Sequence, residues 1–229
     1  FVYTRSSTRD RVREVFENRS EELAVRREAA KTLAGVSGNT DVYRSLLDQA
    51  NRGSEPSLRA ISYKALYWTA SQRSDVRGEL LDAARRESDP LVRRAAIWGL
   101  FVASNDNRTQ DVLMDIARRD GDGAARVEAL KSLYGAMGYN DVRDLAYDLA
   151  RRESAAAVRR AAILMHANRT NNNQKDLLED IAERDSDPVM RRAAILALGG
   201  ARSEEIQNFF HVIRRDARAS RWMAFTTIA

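Results

Sequence analysis

The chain of 229 residues contains no cysteine, which removes disulfides, thiolate metal sites and cysteine nucleophiles together. Histidine is almost as scarce. His166 and His211 are the only two, they lie far apart, and no carboxylates cluster near either at ligand spacing, so neither a metal nor another cofactor is expected. Glycine-rich phosphate loops and the G-x-S-x-G pattern are missing, and no paired acids stand out, which leaves an enzyme reading without a residue to rest on. No apolar run approaches the roughly eighteen residues that a membrane span needs. Three prolines and eleven glycines leave room for long helices.

Lysine is rare as well: Lys31, Lys64, Lys131 and Lys175 are the only four, and arginine carries nearly all the positive charge. A net charge of +5 from 38 basic and 33 acidic residues is a mild signal for a polyanion and reads first as solvated surface. The chain opens at Phe1 rather than Met, without a charged-then-apolar leader, as a processed or trimmed chain would. It is expected to be a soluble bacterial domain, cytoplasmic or exported.

What is present is a repeat. The segments AVRREAAKTL, SLRAISYKAL, LVRRAAIWGL, AARVEALKSL, AVRRAAILMH and VMRRAAILAL return at a spacing of about thirty-three residues, the mark of a solenoid. The second residue of each is an anchor: Val25, Leu58, Val92, Ala125, Val158 and Met190. Arginine follows every anchor, at Arg26, Arg59, Arg93, Arg126, Arg159 and Arg191. Apolar or small residues at the anchor and at four, seven and eight positions beyond it form one face of a helix, as in Val92, Ala96, Gly99 and Leu100. We call this helix B.

A second amphipathic segment, helix A, precedes each helix B: DVYRSLLDQA, DVRGELLDAA, DVLMDIA, DVRDLAYDLA and KDLLEDIA. EEIQNFFHVI is read as helix A of an incomplete seventh unit, and RWMAFTTIA as the start of its helix B. Glu55-Pro56, Asp89-Pro90 and Asp187-Pro188 suit the first turn of helix B. Gly38-Asn39-Thr40, Asn105-Asp106-Asn107 and Asn171-Asn172-Asn173 break the chain before helix A. A single hairpin cannot bury both of its apolar stripes, so stacked neighbours must complete the core. The unbroken period argues for one array over residues 1–229.

The pattern D-P-x-V-R-R-A-A-I, clearest over Asp89 to Leu100 and Asp187 to Leu198, resembles the HEAT repeat, particularly the short bacterial and archaeal type first noted in phycobilin lyases. The resemblance implies an all-α solenoid, a right-handed superhelix of six stacked hairpins and a partial seventh, with helix B lining the concave side. It also implies a row of charge-assisted bonds between the arginines after the anchors and the acids five residues before them. Those acids are Glu87, Asp120, Glu153 and Asp185, whereas the first two units carry Ser20 and Gly53, so the row is expected to weaken toward the N-terminus.

The positions that the core does not dictate carry the functional reading. Residues two, six and nine after the anchor point roughly 150–180° away from the buried stripe at 100° per residue. Each unit places a cation there, and the second to fourth units add Tyr67, Trp98, Phe101 and Tyr134. Exposed rings among cations are the usual anchors of interfaces. The expectation is therefore a non-enzymatic scaffold whose concave face binds a protein or peptide of acidic and apolar character. Lys64, Tyr67, Arg94, Trp98, Phe101, Lys131 and Tyr134 are its candidate contacts. Two other readings share the fold. Basic grooves with interleaved rings also bind nucleic acid, as in the HEAT-like alkylpurine DNA glycosylases, and a bilin-lyase-like subunit would hold a tetrapyrrole. His166 stands apart because it occupies the position eight after the anchor, where the other five units have leucine; a partly buried ring bonded to a carbonyl is expected there.

Overall fold

The computed structural model describes residues 6–168, 171–200 and 203–210, and all regular structure among them is helical. Packing divides the chain into two compact units, one running to Ala103 and the other beginning at Ser104. The period itself passes through this division unchanged.

The first unit contains three hairpins. These pair α1 (Ser6–Glu17) with α2 (Leu23–Ala34), α3 (Thr40–Arg52) with α4 (Pro56–Ala65), and, after the short α5 (Tyr67–Gln72), α6 (Ser74–Arg86) with α7 (Pro90–Gly99). Helix B of each hairpin packs on helix B of the next, α2 on α4 and α4 on α7. The second unit repeats the scheme with α8 (Asn107–Arg119) and α9 (Gly123–Leu133), α10 (Asn140–Arg152) and α11 (Ala156–Met165), and α12 (Asn172–Arg184) and α13 (Pro188–Leu198). There α9 packs on α11 and α11 on α13.

Local chemistry sets the helix starts. The Asn39 side chain accepts from the Asp41 and Val42 amides, Asp89 from Leu91 and Val92, and Asp187 from Val189. Asn171 and Gln174 form a reciprocal capping box that satisfies two amides at once. Pro56, Pro90 and Pro188 occupy the first turn, where a missing N–H costs nothing.

The anchors Leu58, Val92, Ala125, Val158 and Met190 are buried, as are Ala96 and Leu100. Gly99 is required by close approach: a Cβ there would meet Leu80 Cδ2 at 2.7 Å and the Tyr63 carbonyl oxygen at 3.0 Å, so this glycine lets α7 lie tightly on its neighbours. The two ends depart from the pattern. Val25, the first anchor, is 41% exposed and Leu198, the last position-eight leucine, 39%. Among the described residues no further helix B covers either one, which is the boundary condition of a stacked array.

The arginine row is present with a direction. The Arg59 Nε donates to the Ala50 carbonyl at 2.9 Å, that of Arg126 to Ala117 at 2.8 Å and that of Arg159 to Ala150 at 2.9 Å. Each guanidinium then reaches forward to the acid of the following hairpin: Arg59 to Glu87, Arg126 to Glu153 and Arg159 to Asp185. The acids also accept loop amides, Glu153 from Ala155 at 2.9 Å and Asp185 from Asp187 at 3.0 Å. Burial alone would raise the Glu153 carboxyl. The Arg126 guanidinium and the Ala155 N–H outweigh it and hold the group below the usual carboxylate range, and Glu87 and Asp185 are lowered in the same way.

This forward reach corrects the expected weakening over two units. The missing acid at Gly53 affects only Arg26, which donates to the Phe16 carbonyl at 3.0 Å and to the neutral Gln49 side chain at 3.2 Å. Arg59 is fully paired.

Candidate functional site

The candidate residues fall on both compact units. In the first, Tyr67 and Trp98 meet edge to face with ring centroids 5.7 Å apart, and the half-buried Val102 packs on the pair. The Lys64 ammonium lies 5.8 Å from the Trp98 ring centroid, within cation–π range. Arg94, Lys64 and Phe101 are half-buried beside this cluster's helices.

The expectation of openly exposed rings is corrected here. Tyr67 and Trp98 are each 9% exposed and Tyr134 only 5%. The cause is local. Helix B ends sooner than the sequence pattern suggests: α4 stops at Ala65, α7 at Gly99 and α9 at Leu133. Position nine therefore falls beyond the α-helix, on α5 for Tyr67 and on 3₁₀ turns at Phe101–Ala103 and Tyr134–Ala136. A tighter turn of about three residues changes the angle of the side chain, and the 100° projection no longer holds. Trp98 is still on α7, but Tyr67 of the preceding hairpin covers it.

In the second unit the helix B face is occupied by the chain itself. α14 (Glu204–Phe210) follows a turn at Gly200, whose φ of 86° is a left-handed conformation suited to glycine. Its principal helix contact is α9, three hairpins earlier. Phe210 stacks on Tyr134 at 3.8 Å with the rings 7° from parallel. Phe209 sits between two cations, 5.0 Å from the Lys131 ammonium and 5.3 Å from the Arg160 guanidinium. Glu205 accepts from Arg192 at 2.7 Å, and Ile206 and Phe210 are buried. The segment read from sequence as the seventh helix A does form a helix, and it turns back across α9, α11 and α13. Trp222 and the rest of RWMAFTTIA lie outside the described residues.

Sequence reasoning found Lys131 and Tyr134 but not their occupant. The signal was the departure of EEIQNFF from the D-V-x-x-x-L pattern, together with Gly199-Gly200 just before it.

His166 is fully buried in the second unit with its ring edge-on to Tyr147 at 6.5 Å. Burial pushes its pKa down to about 4, the Ala146 backbone only partly opposing this, so the imidazole is neutral at physiological pH. Among the described residues no three His, Asp or Glu side chains are grouped to hold a metal. None of the described helices is long and apolar enough to cross a membrane.

The family model for HEAT repeats matches residues 43–133, 78–167 and 109–199 in overlapping windows. The chain belongs to the HEAT-repeat family. Among solved structures, this HEAT-repeat chain is similar to the X-ray structure of YibA from E. coli, with a TM-score of 0.56 and 16% identity over 99% of this chain and 81% of YibA. At that identity the likeness concerns the fold. No curated protein matches the chain.

Proposed function

We propose that this HEAT-repeat chain is a non-enzymatic scaffold that binds a protein or peptide partner through its helix B faces. The observation that supports it most is α14. A short segment carrying a carboxylate and two adjacent rings lies on the helix B face of the second unit, held by ring stacking, cation–π contact and an ion pair. Such contacts serve protein recognition: cations orient the approach and rings supply affinity. The first unit offers related chemistry in Lys64, Arg94, Phe101 and the Tyr67–Trp98 pair, with the rings half-buried or buried and Lys64 over the Trp98 ring.

The test is a pull-down with the full chain and with Lys64→Glu and Arg94→Glu baits, followed by binding of the captured protein across a salt series. Charge reversal is expected to slow association by about tenfold at low salt, with the effect shrinking as salt rises. Glu179→Lys, an exposed change on helix A of the sixth hairpin, should leave capture unchanged. An identical set of captured proteins from parent and reversed baits would sink the proposal. A slope of several charges in the salt dependence of RNA or DNA retention on filters would move the reading to nucleic acid.

A further inference from the structure

We propose that α14 is a displaceable internal ligand, and that the helix B face beneath it takes in trans a partner helix of the same chemistry. The pattern is a carboxylate, an aliphatic residue directly after it, and two adjacent aromatic residues four and five positions beyond the carboxylate. In this chain these are Glu205, Ile206, Phe209 and Phe210. The inference rests on the reading of the helix B face given above and names the partner's chemistry.

Three observations carry it. First, α14 does not pack as a repeat element: its principal helix contact is α9, three hairpins earlier, and a left-handed Gly200 precedes it. Second, its receptor is assembled from successive helices B at positions that project away from the buried stripe. Lys131 is six after its anchor, and Arg160 and Arg192 are each two after theirs. The partner side chains reach all three, and Phe210 adds the stack on Tyr134. A surface periodic along the array suits an elongated segment, and α14 covers it with seven residues.

Third, part of the hold is weak. A helix of this length has little stability of its own. The Arg192–Glu205 pair is solvent-facing, with both side chains more than half exposed, and such pairs contribute little. Ile206 and Phe210 supply most of the burial. Tethered by a short link, α14 acts at an effective concentration of about 1 mM. If the segment alone binds with Kd near 100 µM, the face is occupied about nine-tenths of the time and a competitor sees an affinity weakened about tenfold. At such an occupancy the face would be closed to a weak partner and open to a stronger one.

The probe is a fluorescein-labelled synthetic peptide of residues 203–210, followed by anisotropy against the full chain. The release variant is Phe209→Ser/Phe210→Ser, which alters α14 and no hairpin; Glu205→Arg is a second, milder release that leaves the buried rings in place. The release variant should bind the peptide at least about tenfold more tightly than the parent, and the gain should disappear when Lys131→Glu or Tyr134→Ala is added. A peptide with Phe210→Ala should not bind. Equal affinity for parent and both release variants, no binding to any of them, or a gain indifferent to Lys131 and Tyr134 would overturn the proposal. So would a parent dimer formed by exchange of α14, since the occupant would then be a second copy. The Lys64 and Arg94 experiment concerns the first unit and is decided independently.

Discussion

Replacing Arg126 by Met separates the structural arginines from the surface ones. The Arg126 side chain is 14% exposed and that of Glu153 10%, so the pair is largely removed from water. Methionine keeps most of the stem volume but deletes the bond to the Ala117 carbonyl and both bonds to Glu153. Glu153 is then a buried carboxylate left with a loop amide. Breaking such a pair from one side costs about 3–5 kcal/mol. Arg119, by contrast, makes a helix-surface pair with Asp115 at 3.6 Å and is 81% exposed, so Arg119→Met should cost under about 1 kcal/mol. Both residues lie in the second unit, which makes the comparison fair. The loss also has a pH signature. Because Arg126 and the loop amide hold the folded pKa of Glu153 below its unfolded value, the pair's contribution is complete above the unfolded pKa and is lost as pH falls through the folded one. The gap between parent and Arg126→Met should therefore be widest near neutral pH and close as pH falls through the depressed pKa of the folded Glu153 carboxyl. Urea unfolding at several pH values measures it. A gap independent of pH, or one no larger than that of Arg119→Met, would refute the assignment of Arg126 as a bond between hairpins.

Two further outcomes follow from burial. His166 has a folded pKa near 4 against an ordinary 6.5, so the unfolded chain takes up a proton that the folded one refuses, and stability falls between those pH values by about 3 kcal/mol. His166→Leu, which installs the residue found at that position in the other hairpins, should flatten this part of the profile in urea titrations; parallel profiles would contradict it. Leu100→Ala should cost about 2–5 kcal/mol through lost contact and cavity, whereas Leu198→Ala, at a position already open to solvent, should cost far less. Equal losses in thermal melts would mean that the last hairpin is covered as fully as the inner ones.

The repeat was legible because its signals are local. The caps at Asn39, Asp89 and Asp187, the first-turn prolines and the three-four spacing of apolar residues each act within one or two turns. The functional face was legible only in part. Projecting position nine at 100° per residue assumes an α-helix, and the chain leaves that geometry after positions seven to eight, which carried Tyr67 and Tyr134 inward. The docking of α14 depends on contacts between residues far apart in sequence, such as Tyr134 and Phe210, and no periodicity encodes them. The direction of the arginine row was hidden for a related reason: an arginine and the acid of its own hairpin are as close in sequence as partners would be expected to be, yet the bond goes to the next hairpin.

That forward bond gives the array a grammar for growth. The fifth hairpin shows the full scheme: it brings one guanidinium, Arg159, offered onward to Asp185, and one carboxylate, Glu153, which answers Arg126 of the hairpin before it. A hairpin inserted by duplication in the middle of such a run completes its predecessor and is completed by its successor, so the number of stranded charges does not change. The same hairpin appended at the C-terminal end leaves a new arginine unanswered by any carboxylate. Among the described residues Arg191 is in that place: it turns back to the Asp185 and Ser186 carbonyls at 2.7 and 3.2 Å. Lengthening is therefore electrostatically neutral within the array, and only its ends must improvise.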